Sequence, residues 1–127
     1  MWQVDFTLVA DWIATLDDET VAAIVAATDV LERQGPALGR PLVDAITGSR
    51  LKNMKELRPA SPGDSEIRIL FAFDPVRMGI LLVGGDKASG KGKKEKWSGW
   101  YKKAVPEAER LYDEHLRGLE GGRHADR

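Results

Sequence analysis

Between Arg50 and Lys87 the chain threads cations through segments that are otherwise largely apolar. The stretch 50–58 carries Arg50, Lys52, Lys55 and Arg58; 66–73 carries Arg68; and 79–87 ends on Lys87. Such side chains on neighbouring strands suit a polyanion, most of all RNA. Arginine grips phosphate oxygens bidentately, and lysine moves protons when nearby cations lower its pKa. Metal-free RNA cleavage needs a base for the 2′-hydroxyl, a donor for the leaving oxygen and positive charge on the phosphorane. Clustered lysines and arginines can supply all three. Ile67, Ile69, Phe71 and Phe73 alternate with Arg68, Leu70 and Ala72, so Arg68 leaves its strand on the face opposite the aromatic row. Lys52, Lys55, Arg58 and Lys87 are candidates on adjacent strands or at their ends. The plain alternative is a set of solvated strand cations, or edge charges that discourage aggregation. Glu56, inside the first basic segment, is expected to pair with Arg58 or Arg68 rather than to act as a base.

Downstream, Lys91, Lys93, Lys94 and Lys96 sit in a glycine-lysine run and read as loose phosphate contacts, as do Arg50 and Lys52. Trp97, Trp100 and Tyr101 follow. Aromatics there either stack on bases, worth about 1–3 kcal/mol each, or seat a terminal helix on a sheet. His115 reads as a helix-face residue and His124 lies in the tail. No histidine and carboxylate show metal-ligand spacing, so no metal or cofactor is expected. Gly84-Gly85-Asp86-Lys87 lacks the spacing of a phosphate loop, and no serine sits in a nucleophile elbow.

The charge is unevenly spread. Residues 1–48 hold two cations and eight anions, 49–103 thirteen and six, and 104–127 four and six, so a formal net charge of −1 hides a basic middle. An alternative is that acidic helices and a basic loop only solvate the surface. With 127 residues the chain is expected to be one domain over 1–119, with a flexible tail at 120–127. It has no cysteine, no apolar run long enough to span a bilayer and no secretion signal, which points to the cytoplasm.

The elements that must position these residues follow in order. Trp2, Val4 and Phe6 alternate with polar residues as in a strand. A short helix over Asp11–Leu16 precedes a longer one, capped by Asp17, of about five turns. Gly35-Pro36 stops it. Residues 36–49 form a punctuated connection with one helical turn near Val43–Ile46. Strands follow at 51–58, 66–73 and 80–83, then a mobile loop at 88–99, and a last helix from Trp100 to Leu119 with Pro106 starting or kinking it. The fold class is α+β, a small antiparallel sheet flanked by helices, in the order β-α-α-β-β-β-α.

These residues resemble the RelE/HigB-type toxins of bacterial toxin–antitoxin pairs, in the phage-derived Gp49-like branch. The resemblance spans about residues 2–119 and rests on Trp12-Ile13 and Leu16-Asp17, Lys52 to Arg58, Arg68 to Pro75, and Ile80 to Lys87 followed by Trp100-Tyr101. It implies a RelE/ParE-like fold and a metal-independent endoribonuclease that cuts messenger RNA on the ribosome and arrests growth. Arg68 would clamp the phosphate and Lys87 would lie near the scissile bond. Lys52, Lys55 and Arg58 would line the active face, and Tyr101 would stack. The implied partner is a cognate antitoxin of the helix-turn-helix kind that masks this face or repositions the last helix. ParE-type toxins share the architecture but poison DNA gyrase by binding, and a non-catalytic nucleic-acid-binding module is a further alternative.

Overall fold

The computed structural model describes residues 1–88 and 93–125, with side chains described for 1–88 and 99–121. Five strands, β1 (Gln3–Asp5), β2 (Val43–Ala45), β3 (Lys55–Leu57), β4 (Ile67–Phe73) and β5 (Met78–Asp86), form one sheet in the order β1-β5-β4-β3-β2. All neighbours are antiparallel except β1, which runs parallel to β5. Helices α1 (Ala10–Ile13) and α2 (Asp18–Gln34) pack on one face, and α3 (Lys93–Ala125) packs on the other.

Local chemistry accounts for these elements. Asp17 caps α2 by accepting the Thr20 N–H at 2.7 Å, and Asp18 and Glu19 fill the first turn, where the helix dipole favours anions. Gly35, at φ +63°, ends it, and a Cβ there would lie 2.2 Å from the Trp2 indole. In β4 the period of two divides the core. Ile67, Ile69 and Phe71 join Ile24, Ala27 and Leu31 of α2, while Leu70 and Ala72 join Ala104, Ala108 and Tyr112 of α3. A bulge between Leu70 and Phe71 resets the β4–β5 register, so that Leu81 faces α2 while Ile80 and Leu82 face α3. The Gly84-Gly85 pair then makes room on both faces. A Cβ on Gly84 would meet Trp12 at 2.2 Å, and one on Gly85 would meet Trp100 at 2.2 Å.

The α+β class holds, with three corrections of detail. Val43–Ala45 is a strand and not a helical turn, adding a fourth member to the run between α2 and α3. The basic segment 51–58 is strand only over Lys55–Leu57, after a turn at Lys52-Asn53. The last helix begins at Lys93 rather than Trp100, runs through Pro106 and continues to Ala125, so the 93–99 part of the expected loop is helical. Lys91 and the side chains of Lys93, Lys94, Lys96 and Trp97 lie outside the described residues. Among the described residues no helix is long and apolar enough to cross a membrane.

Candidate functional site

On the face that α3 covers, Glu56 is the hub. It sits in the middle of β3, 1% exposed, with Leu70 of β4 and Asp44 of β2 as its ladder neighbours. Arg58 leaves the end of β3 and donates from Nε to Glu56 Oε1 at 2.8 Å and from Nη2 to Asp44 Oδ2 at 3.1 Å. Arg68 comes from β4, where its register partner is Gly85. Its guanidinium lies against Glu56 Oε1 at 3.7 Å and Glu66 Oε1 at 3.9 Å and donates to the Ile67 carbonyl at 2.7 Å. Its Nε is buried without a hydrogen-bond acceptor among the described residues. Tyr101 reaches down from α3 and donates its hydroxyl to Glu56 Oε2 at 2.6 Å. Lys87, just past β5, is anchored by its N–H on the Glu66 carbonyl at 3.0 Å and places Nζ 5.7 Å from the centre of the Tyr101 ring. Trp100 stands edge-on to Tyr101, with ring centres 4.9 Å apart, over the bare backbone of Gly85.

Electrostatics follows from this packing. Burial, then the charge of Arg68, lowers the Lys87 pKa; Glu56 and Glu66 only partly offset that. Burial alone would lower Arg58, but its hydrogen bond to Glu56 and the charges of Glu56 and Asp44 outweigh that and raise it. Burial, then the hydrogen bond to Glu56, holds the Tyr101 hydroxyl well above its ordinary pKa. The Lys87 ammonium is thus a stronger acid than that of an ordinary lysine, and the Tyr101 hydroxyl a weaker one than that of an ordinary tyrosine. A cleft of about 410 Å³ opens over Glu56, Arg58 and Tyr101, walled by the β2 edge from Asp44 to Thr47.

The structure brings together Arg58, Arg68, Lys87, Tyr101 and Trp100. It does not bring the other candidates to them. Lys55 shares the α2-side face with Leu57 and donates to the Pro36 carbonyl at 2.9 Å; alternation along the strand gives Glu56 the opposite face. Lys52 is exposed in the turn toward the far end of β4, where neighbouring Asn53 donates to the Phe73 carbonyl. Arg50 ion-pairs with Asp113 and Glu109 of α3, fixing the β2–β3 connection to the helix. Lys91, Lys93 and Lys94 fall outside the described side chains.

Sequence reading also missed a second polar cluster. His115 of α3 meets Asp74, whose side chain is 1% exposed, at 2.7 Å between Nε2 and Oδ2. Asp74 also accepts the N–H groups of Val76 and Met78, each at 2.9 Å, which closes the β4–β5 hairpin. The partners are 41 residues apart, and only the Asp74-Pro75 turn hinted at either one.

Over residues 11–113 the chain matches the family described as phage-derived protein Gp49-like (DUF891). It is 49% identical over 119 residues to the candidate toxin HigB2 of Mycobacterium tuberculosis (strain ATCC 25618 / H37Rv), which covers 94% of this chain and 56% of HigB2. The chain therefore spans little more than half the length of that relative. A second protein of the same strain, the candidate toxin HigB3, is 45% identical over 111 residues, 87% of this chain and 90% of HigB3. No solved structure matches the chain at a significant level.

Proposed function

This chain belongs to the phage-derived Gp49-like family, in its HigB-type branch, and from that membership and the site geometry we propose that it is the toxin of a toxin–antitoxin pair. Its activity in this reading is metal-independent endoribonucleolytic cleavage of messenger RNA on the translating ribosome. Its partner is a cognate antitoxin of the helix-turn-helix kind. One observation carries the reading: Arg58, Arg68 and Lys87, from three separate segments, surround one carboxylate beside an aromatic wall.

The roles follow from chemistry. The scissile phosphate takes the place of a carboxylate partner at Arg58, the guanidinium open to the cleft, and Arg68 adds positive charge behind it. The 2′-oxygen forms a bond to phosphorus as the bond from phosphorus to the 5′-oxygen breaks. Glu56, paired at rest, has Oε1 released when Arg58 turns to the phosphate, while Tyr101 stays on Oε2. Oε1 accepts the 2′-hydroxyl proton, and the Lys87 ammonium protonates the leaving 5′-oxygen. The products are a 2′,3′-cyclic phosphate and a 5′-hydroxyl.

Inducing the chain alone in cells, with growth and transcript ends followed together, tests this. Arrest accompanied by new transcript ends is expected, relieved by Lys87→Ala and by Arg68→Ala but not by Lys55→Ala, whose side chain lies on the other face. If Lys87→Ala and Arg68→Ala both stay fully toxic, the site is misassigned. One observation favours a second reading: Arg58 and Arg68 already lie against carboxylates and could simply hold the fold together. A gyrase-binding toxin of the ParE kind would then arrest growth with intact transcripts and broken DNA.

A further inference from the structure

Two clefts adjoin Tyr101. The one of about 410 Å³ contains Glu56 and Arg58; the other, of about 290 Å³, continues along α3 over Val105 and Pro106 to Lys102. Tyr101 and Thr47 line both. We propose that these clefts are nucleobase subsites for the nucleotides flanking the scissile bond of single-stranded RNA, and that Thr47 is a specificity-determining residue that reads one of those bases. This rests on the ribonuclease reading above.

Four features point to bases. First, the shared wall is fixed in place: Tyr101 is tied to Glu56 through its hydroxyl at 2.6 Å, to Trp100 through its ring, and faces Lys87. A fixed aromatic stacks on any base, because every base has a π-face. Second, a cation lines each cleft and can meet a phosphate, Arg58 in one and Lys102 in the other. A duplex, with its bases stacked inside, could not present them to such clefts. Third, the acids of the lining are engaged already. Glu109 accepts from the Ser49 hydroxyl and the Arg50 N–H, and Asp44 from the Ala45 N–H and Arg58. Fourth, Thr47 is exposed between the two clefts, and its hydroxyl makes no hydrogen bond to any described residue. A hydroxyl can both donate and accept, so it can read a base edge.

Two variants of this exposed residue test the proposal in the full-length chain. Thr47→Val keeps the shape and removes the hydroxyl; Thr47→Phe fills the clefts. Transcript ends from induced cells should show a changed base preference at one position beside the cut in Thr47→Val. Cutting should fall about tenfold or more in Thr47→Phe. Unchanged preference together with undiminished cutting overturns the subsites while leaving the nuclease reading intact. Titrating a short mixed-sequence single-stranded RNA into the purified chain, followed by tryptophan fluorescence, tests the subsites even if nothing is cut. Binding by the wild type that Thr47→Phe weakens about tenfold supports them. No binding by the wild type, equal binding by Thr47→Phe, or equal binding of a double-stranded competitor contradicts them.

Discussion

Among the described residues two buried carboxylates lie under α3, Glu56 in the middle of β3 and Asp74 at the β4–β5 turn, and they are satisfied in opposite ways. Asp74 is met mainly by backbone: two N–H groups of its own hairpin, plus His115. Glu56 is met by side chains alone, Arg58, Tyr101 and, at longer range, Arg68. The first arrangement is a turn cap whose partners have nowhere else to go. The second is a constellation of long side chains that a phosphate could re-pair, in which the buried Arg68 Nε lies 3.7 Å from Glu56 Oε1 and makes no hydrogen bond among the described residues. Burial of a charge does not distinguish structure from function; the kind of partner does.

The sharpest way to break this comparison is to remove each hub. Glu56→Ala leaves Arg58 and Arg68 without their shared partner and should cost about 3 kcal/mol in urea unfolding, with loss of RNA cutting. Lys87→Ala should lower cutting about a hundredfold with little loss of stability, because Lys87 sits at the rim of the cluster and not at its hub. Asp74→Ala opens the hairpin and frees His115, costing about 2 kcal/mol while cutting per folded molecule is kept. The two glycines of β5 sharpen the contrast further. Gly84→Ala and Gly85→Ala should each cost about 1–3 kcal/mol, but only Gly85→Ala, which displaces Trp100 and with it Tyr101, should lower cutting as well.

The lowered pKa of Lys87 adds a pH signature. Its ammonium loses its proton below 10.5, the ordinary lysine value. A rate that uses that proton therefore falls on the alkaline side before pH 10.5, and the limb should vanish in Lys87→Arg. Stability moves the other way. A lysine whose folded pKa is depressed costs stability at neutral pH, and the cost lifts as pH climbs toward 10.5. Wild type should thus gain on Lys87→Met over that alkaline window in urea titrations.

Local signals made much of the fold legible. The Asp17 cap and the Gly35 stop bound α2, and alternation fixed the faces of β4, so Arg68 was placed on the correct side of the sheet. Short elements were less readable. Val43–Ala45 is too brief for a period and lies among prolines and glycines, and the lysines that start α3 carry no apolar stripe. At the site, counting cations without counting faces drew in Lys55, although Glu56, one residue on, is the group that shares the face with Arg68. Nor could spacing reveal that α3 lies over that face, leaving Arg68 only 13% exposed where a surface cation was expected. His115 finds Asp74 through the tertiary fold alone.

The chemistry left on cut transcripts gives the most direct test of whether Arg58, Arg68 and Lys87 act together on a phosphate without a metal. Ends should be mapped after induction of the wild-type chain and of Lys87→Ala. The account predicts 2′,3′-cyclic phosphate and 5′-hydroxyl ends in the wild type, sharply reduced in Lys87→Ala. Ends bearing a 3′-hydroxyl and a 5′-phosphate, or equal cutting by Lys87→Ala, would contradict it.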